Sequence, residues 1–246
     1  WAREAAARYR GEDVGVHLTL TAEWELYRWG PVTMSPSLLG GEGGFPRTIA
    51  DAWEHADLDE TRRELRAQIE RAILWGFDVT HLDSHMGTLQ LRPEFFDVYL
   101  DLAVEFDLPL RLSGRSTHDV IGFPFRDLAD EEGVVAPDHL IVYPGPGVRR
   151  AFEKTIQDLR PGVTEIFAHP ATDHAELRSL APDWPRRLLA LAAMALALAW
   201  ATPFAQLALI AAGAAAGLLV LRDRRDDLRA TGGSVASWRS GVLALG

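Results

Sequence analysis

Short β-like runs alternate with helical runs up to about residue 180, and this alternation limits the fold more than any other feature of the chain. The stretch DVGVHLTLT is apolar and β-branched, whereas LDETRRELRAQIERAILWGF has helical periodicity. The run DVTHLDSH is again strand-like, and RPEFFDVYLDLAVEFD is helical with a proline in its first turn. Strands separated by helices predict parallel βαβ units. The helical run places Leu65, Ile69, Ala72 and Ile73 at i, i+4, i+7 and i+8, the spacing of one helical face.

Composition excludes several classes of function. The 246 residues carry a formal charge of −10, and no cluster of basic residues precedes the C-terminal quarter, so a nucleic-acid partner is not expected. The chain has no cysteine, which excludes disulfides, thiolate metal sites and cysteine nucleophiles. Any metal ion must therefore be held by His, Asp or Glu.

Four of the eight histidines lie in or just after predicted strands: His17, His81, His85 and His169. The carboxyl ends of parallel strands are where α/β folds place their active sites. Each histidine alone is more simply explained by packing or hydrogen bonding. Four in the same kind of position favour a shared metal site.

The segments DVGVHLTL, THLDSHMGTL and EIFAHPA, in this order and at these separations, resemble the YdjC-like (ChbG/HpnK) family of carbohydrate deacetylases. The resemblance covers a domain over residues 1–184. It implies an α/β fold, an irregular TIM-like (β/α) barrel that is incomplete here. It also implies the hydrolysis of acetyl groups from N-acetylated sugars or oligosaccharides with a divalent metal ion, Mg²⁺ or Zn²⁺.

The resemblance also assigns roles to residues. His17 and His85 match the two histidine ligands of the metal, and His169 matches the histidine of a late His-Pro motif near the catalytic centre. His81 and Asp83 complete the HLDSH motif, and Arg111 matches an arginine after the next helix. These last three residues are expected to bind substrate or to orient the ligands, although Asp83 could equally cap the next turn.

Amide hydrolysis explains why such residues would be grouped. A metal ion polarises the carbonyl, a carboxylate accepts a proton from water, and a histidine protonates the departing amine. In the resembling family a first strand ends in an Asp-Asp pair that supplies a metal ligand and the base. We expect that strand to precede Trp1, so that the chain is an N-terminally shortened fragment with weak or no activity.

Residues 185–246 differ from the rest of the chain. No charged residue occurs from Leu188 to Leu221, and a Thr-Pro step at 202–203 is expected to break this apolar, Ala/Leu-rich helical tail. The tail is either a membrane segment or frameshifted sequence, with a soluble core helix as a third interpretation. The catalytic domain is expected to be cytoplasmic, with membrane association only if the tail is genuine. The sequence does not give the oligomeric state.

Two other functions are compatible with the same sequence features. One is a different metal-dependent hydrolase on the same barrel, such as a phosphoesterase. The other is an inactive truncated scaffold with a membrane-associated tail. The aromatic loop that follows His17 is equally open, because Trp24, Tyr27 and Trp29 could stack on a sugar ring or simply pack against the domain.

Overall fold

A computed structural model describes residues 2–142, 157–181, 183–185, 187–188 and 190–191, which form a mixed α/β fold. In these residues the helices are α1 (Ala2–Ala6), α2 (Ile49–His55), α3 (Leu58–Leu74), α4 (Pro93–Phe106), α5 (Arg115–Ile121), α6 (Phe125–Glu131) and α7 (Ala175–Leu180). The strands are β1 (Val14–Leu18), β2 (Val79–Ser84), β3 (His139–Val142) and β4 (Thr164–Phe167), and single 3₁₀ turns span Pro36–Leu38 and His85–Gly87.

The strands pair in parallel, as the alternating pattern predicts. β1 pairs with β2 so that His17 lies opposite Asp83, and β3 pairs with β4. An isolated parallel bridge joins Leu82 of β2 to Leu110, whose backbone N–H donates to the carbonyl of Val135. The prediction of helices and parallel strands is confirmed, whereas the closure of these strands into a barrel stays a prediction.

The local sequence accounts for the two long helices. The carboxylate of Asp57 caps α3 by accepting a hydrogen bond from the backbone N–H of Glu60, at 2.9 Å. Proline occupies the first turn of α4, where its missing N–H costs no hydrogen bond. The helix ends at Phe106, and the next residue, Asp107, adopts a left-handed conformation that caps it.

The core lies between the helices and the β1–β2 pair. α3 contacts both β1 and α4 and buries Leu65 and Ile69 completely. The predicted helix is confirmed, but its apolar face is not buried to the end, because Ile73 is 46% exposed and the neighbouring Leu74 is 82% exposed. The last turn of the helix thus faces solvent, although the apolar periodicity continues through it.

The described residues fall into two compact units. The first contains 2–142 and 160–167, and the second contains the remaining described residues, including α7. Within the second unit, Arg178 pairs with Asp173 and its guanidinium lies 4.7 Å from the ring centroid of Trp184. None of the helices in the described ranges is long and apolar enough to cross a bilayer. The apolar tail beyond residue 191 lies outside the described residues, and the boundary at residue 184 stays a prediction.

Candidate active site

One face of the β1–β2 pair carries the candidate site. Side chains alternate between the two faces of a strand, so His81 and Asp83 share one face of β2 while the fully buried Leu82 faces the core. The parallel register sets His17 beside Asp83. The two side chains meet there, with His17 Nδ1 2.5 Å from Asp83 Oδ2.

His85 reaches the same place through a turn. β2 ends at Ser84, and the 3₁₀ turn that follows places Met86 in the left-handed region, with φ of 55°. His85 Nδ1 lies 3.0 Å from His17 Nε2, and the two rings meet edge to face with centroids 5.0 Å apart. The structure therefore brings together the two histidines that the resemblance implies as metal ligands.

A carboxylate that sequence reasoning missed binds the other nitrogen of His85. Glu23 Oε2 lies 2.9 Å from His85 Nε2. Glu23 belongs to the loop between β1 and α2, residues 19–48, which we call the β1–α2 loop. Trp29 of the same loop meets the His85 ring edge to face at 6.2 Å and donates from Nε1 to the carbonyl of Thr21. The only sequence signal was an acidic residue a few positions after a strand-end histidine.

Asp83 is held from three directions. Besides His17, Arg111 Nη1 lies 2.6 Å from Asp83 Oδ2, and the backbone N–H of Ser84 donates to Oδ1 at 2.8 Å. Burial raises the pKa of Asp83, but the hydrogen bond and charge of His17 and the charge of Arg111 outweigh burial and lower it overall. Asp83 is therefore stabilised as a carboxylate.

Arg111 is in turn fixed by a second missed carboxylate. Its Nε lies 2.7 Å from Glu165 Oε1 on β4, and its Nη2 contacts the same oxygen. Burial lowers the pKa of Arg111, but the bonds and charges of Glu165 and Asp83 raise it overall. Glu165 is the one charged residue of the strand-like run VTEIFA, and that was the signal available in the sequence.

Tyr99 supports the strand beneath the site. It is fully buried on α4, and its hydroxyl donates to the carbonyl of Leu82 at 3.0 Å. Burial raises the pKa of Tyr99 well above 10.0, and the negative charge of Asp83 adds to this shift.

The remaining two predicted residues are His81 and His169. The ring of His81 packs over Gly15, where an added Cβ would lie 2.2 Å from its Nε2, and its Nδ1 is 3.0 Å from the hydroxyl of Thr80. These contacts join His81 to Gly15 and Thr80 rather than to the histidine pair. His169 is exposed, two residues after β4, and belongs to the second unit.

The spacing of the histidine pair suits two positions around a metal ion. His17 Nε2 and His85 Nδ1 face each other 3.0 Å apart, close enough that one ion could bind both nitrogens. In the described part of the chain, no three His, Asp or Glu side chains form a complete metal-binding group. The residues present thus fit part of a coordination sphere.

A family model and two relatives each match most of this chain. The family model of YdjC-like protein matches residues 1–200. A carbohydrate deacetylase of Thermus thermophilus is 37% identical over 193 residues, 74% of this chain and 70% of that protein. A carbohydrate deacetylase of Thermoanaerobacter pseudethanolicus is 28% identical over 179 residues, 70% of this chain and 65% of that protein. The chain thus spans about two thirds of the length of these relatives.

A solved structure shares the fold. A crystal structure of a protein from Enterococcus faecalis, described as a cellobiose-phosphate cleavage protein, superposes with a TM-score of 0.59 at 25% sequence identity. The superposition covers 76% of this chain and 71% of the other.

Proposed function

The chain belongs to the YdjC-like protein family, and from that premise we propose that it is a hydrolase that removes acetyl groups from N-acetylated sugars or oligosaccharides. We propose further that His17 and His85 hold a divalent metal ion, Zn²⁺ or Mg²⁺, and that the strands close as an irregular TIM-like barrel. The observation that carries the metal proposal is the pair of ring nitrogens facing each other at 3.0 Å.

The hydrogen-bond partners of the two rings support a cation between them. A carboxylate can only accept, so the hydrogens lie on His17 Nδ1, facing Asp83, and on His85 Nε2, facing Glu23. The nitrogens that remain both present lone pairs to one another. Such lone pairs repel unless a positive charge, a proton or a metal ion, lies between them. A carboxylate on the far nitrogen is also the usual second partner of a metal-bound histidine.

The donor chemistry bears on which ion fits. Imidazole nitrogens suit Zn²⁺ and similar borderline ions, while a six-coordinate site that keeps several waters would also take Mg²⁺. A divalent ion bound there would polarise the amide carbonyl and lower the pKa of water.

The protein's own residues then have separate tasks. Asp83 fixes the ring of His17, while Arg111 holds the carboxylate of Asp83 in place. We assign to His169 the protonation of the departing amine, since Pro170 favours an extended conformation for the residue before it. His81 shares the strand face of Asp83 and is assigned to substrate contact.

Zinc binding and acetate release test the proposal together. Zinc affinity is measured by calorimetry, and acetate release is measured from N-acetylglucosamine and its short oligosaccharides, with and without added zinc. We expect zinc binding, with weak zinc-dependent acetate release at most. The variants His17→Ala and His85→Ala should lose zinc binding, because each removes a ligand. His55→Ala, an exposed histidine on α2, is the matched control and should behave as the wild type.

Two results would contradict the proposal. Zinc binding that survives both substitutions would remove the histidine pair from the metal site. Release of phosphate from sugar phosphates, without acetate from N-acetylated sugars, would identify the phosphoesterase alternative instead.

A further inference from the structure

We infer that Glu23 is a positioning residue for the histidine pair: it holds His85 in the tautomer whose Nδ1 lone pair faces His17. The expected effect on metal binding rests on the proposed function, whereas the contacts that support the tautomer do not depend on a metal ion. Glu23 Oε2 lies 2.9 Å from His85 Nε2, and both side chains are largely shielded, at 29% and 18% exposed. A hydrogen bond to a charged group is stronger where water is partly excluded.

The position of Glu23 distinguishes orientation from direct coordination. Its carboxylate meets the Nε2 edge of the ring, whereas the nitrogen that faces His17 is Nδ1. Glu23 thus acts on the ring from the side away from the pair. The arrangement matches that of Asp83 on His17, where the carboxylate binds Nδ1 and leaves Nε2 for the pair. Each imidazole therefore has its own carboxylate.

The backbone next to Glu23 is fixed before any ion binds. Gln68 of α3 bonds both the N–H and the carbonyl of Thr19, at 3.0 and 2.9 Å. The carbonyl of Thr21 accepts from Trp29 Nε1, and the N–H of Ala22 donates to the carbonyl of Pro46 at 2.8 Å. These bonds hold the backbone at Thr19, Thr21 and Ala22, the last of which directly precedes Glu23. A carboxylate on such a backbone loses little entropy when it orients the ring of a histidine.

A set of three substitutions separates orientation from charge. Glu23→Ala removes the acceptor. Glu23→Gln removes the charge but keeps an amide oxygen that can accept from His85 Nε2. Glu25→Gln is the matched control, because Glu25 is an exposed residue of the same loop and its loss changes the net charge equally.

The first readout is zinc affinity, measured by calorimetry with a competing chelator. We expect Glu23→Ala to bind zinc about 10- to 100-fold more weakly, the usual effect of removing a partner of a metal-bound histidine. Glu23→Gln should recover part of that loss. Glu25→Gln should change the affinity by no more than about twofold, as for a screened surface charge.

The second readout needs neither metal nor substrate. Long-range ¹H–¹⁵N spectra of the metal-free protein show which nitrogen of His85 carries a proton. We expect the Nε2 proton of His85 to be protected from exchange with solvent in the wild type and in Glu25→Gln. In Glu23→Ala this protection should be lost.

The outcomes separate this inference from the proposed function. Equal zinc affinity in Glu23→Ala and Glu25→Gln, or the absence of an Nε2 proton on His85 in the wild type, would overturn the role of Glu23. If the wild type binds no zinc, the proposed metal centre fails, and the spectra alone decide whether Glu23 sets the tautomer.

Discussion

Glu64 is a carboxylate on α3 with no exposed surface, and we predict that Glu64→Gln destabilises the fold. Its Oε1 accepts from the backbone N–H of Val32 at 3.0 Å and from Gln68 Nε2 at 2.9 Å. Its Oε2 accepts from the backbone N–H of Thr33 at 2.9 Å and from the hydroxyl of Thr33. Three of these four donors belong to the β1–α2 loop, which carries Glu23, and they attach the loop to α3.

The expected cost follows from this count. Glutamine keeps the shape of glutamate but replaces one oxygen with an NH₂ group. In either orientation of the amide, at least one backbone N–H then faces another donor. Leaving a buried donor unpaired costs about 1–3 kcal/mol, and the surviving bonds lose roughly 1 kcal/mol when the acceptor is no longer charged. The sum is about 2–4 kcal/mol, a large part of the roughly 5–15 kcal/mol that stabilises a typical domain.

Urea unfolding measures this loss directly, and the same helix offers a control. Glu70→Gln makes the same chemical change at an exposed position, where the carboxylate pairs with Arg66 at 2.9 Å. A surface pair of this kind contributes about 0.3–0.5 kcal/mol. If the free energy of unfolding of Glu64→Gln lies within about 0.5 kcal/mol of that of Glu70→Gln, the bonds to Glu64 do not stabilise the loop as argued.

Three further predictions concern Tyr99, His169 and Gly15. Tyr99→Phe should lose about 1 kcal/mol at pH 7. That deficit should shrink above pH 10.0. The unfolded chain releases its phenol proton there while buried Tyr99 retains it, so the stability of the wild type falls with rising pH and that of the variant does not. Urea unfolding across this pH range checks the sign. His169→Ala should lower acetate release per folded, zinc-loaded molecule by about 10²- to 10⁴-fold at unchanged zinc content, and full specific activity would exclude His169 from the mechanism. Gly15→Ala, whose Cβ would lie 2.2 Å from His81 Nε2, should cost about 1–3 kcal/mol, most of which His81→Ala in the same chain should restore in urea unfolding.

Local signals predicted the regular elements of the fold well. The apolar periodicity of α3 and the proline at the start of α4 indicated both helices, and the alternation of strands and helices indicated parallel pairing. The exposed end of α3 was not predicted, because periodicity does not reveal where the partner of a helical face ends. The path of the β1–α2 loop was not predicted either, since it depends on tertiary bonds such as those to Glu64.

The site was predictable to the extent that strand-end histidines mark it. The sequence positions of His17 and His85, together with the resemblance, predicted both residues. Glu23, the carboxylate partner of His85, was not predicted. Glu23 lies 62 residues from His85, and Glu165 lies 54 residues from Arg111. Such pairs depend on strand register and loop path, which a single sequence does not encode locally. Register also explains why Asp83, rather than His81, meets His17.

The parallel pairing of β1 with β2 joins residues far apart in the chain, since His17 and His85 are separated by 68 positions. Closing a loop of this length costs about 4 kcal/mol of chain entropy, which the packing of α3 must offset before the two rings can meet. A peptide that contains only residues 80–90 would hold one histidine of the pair and neither Glu23 nor His17. An ion that binds both histidines therefore binds the folded chain and not the unfolded one. By mass action its free concentration would then help to set the fraction of molecules that are folded.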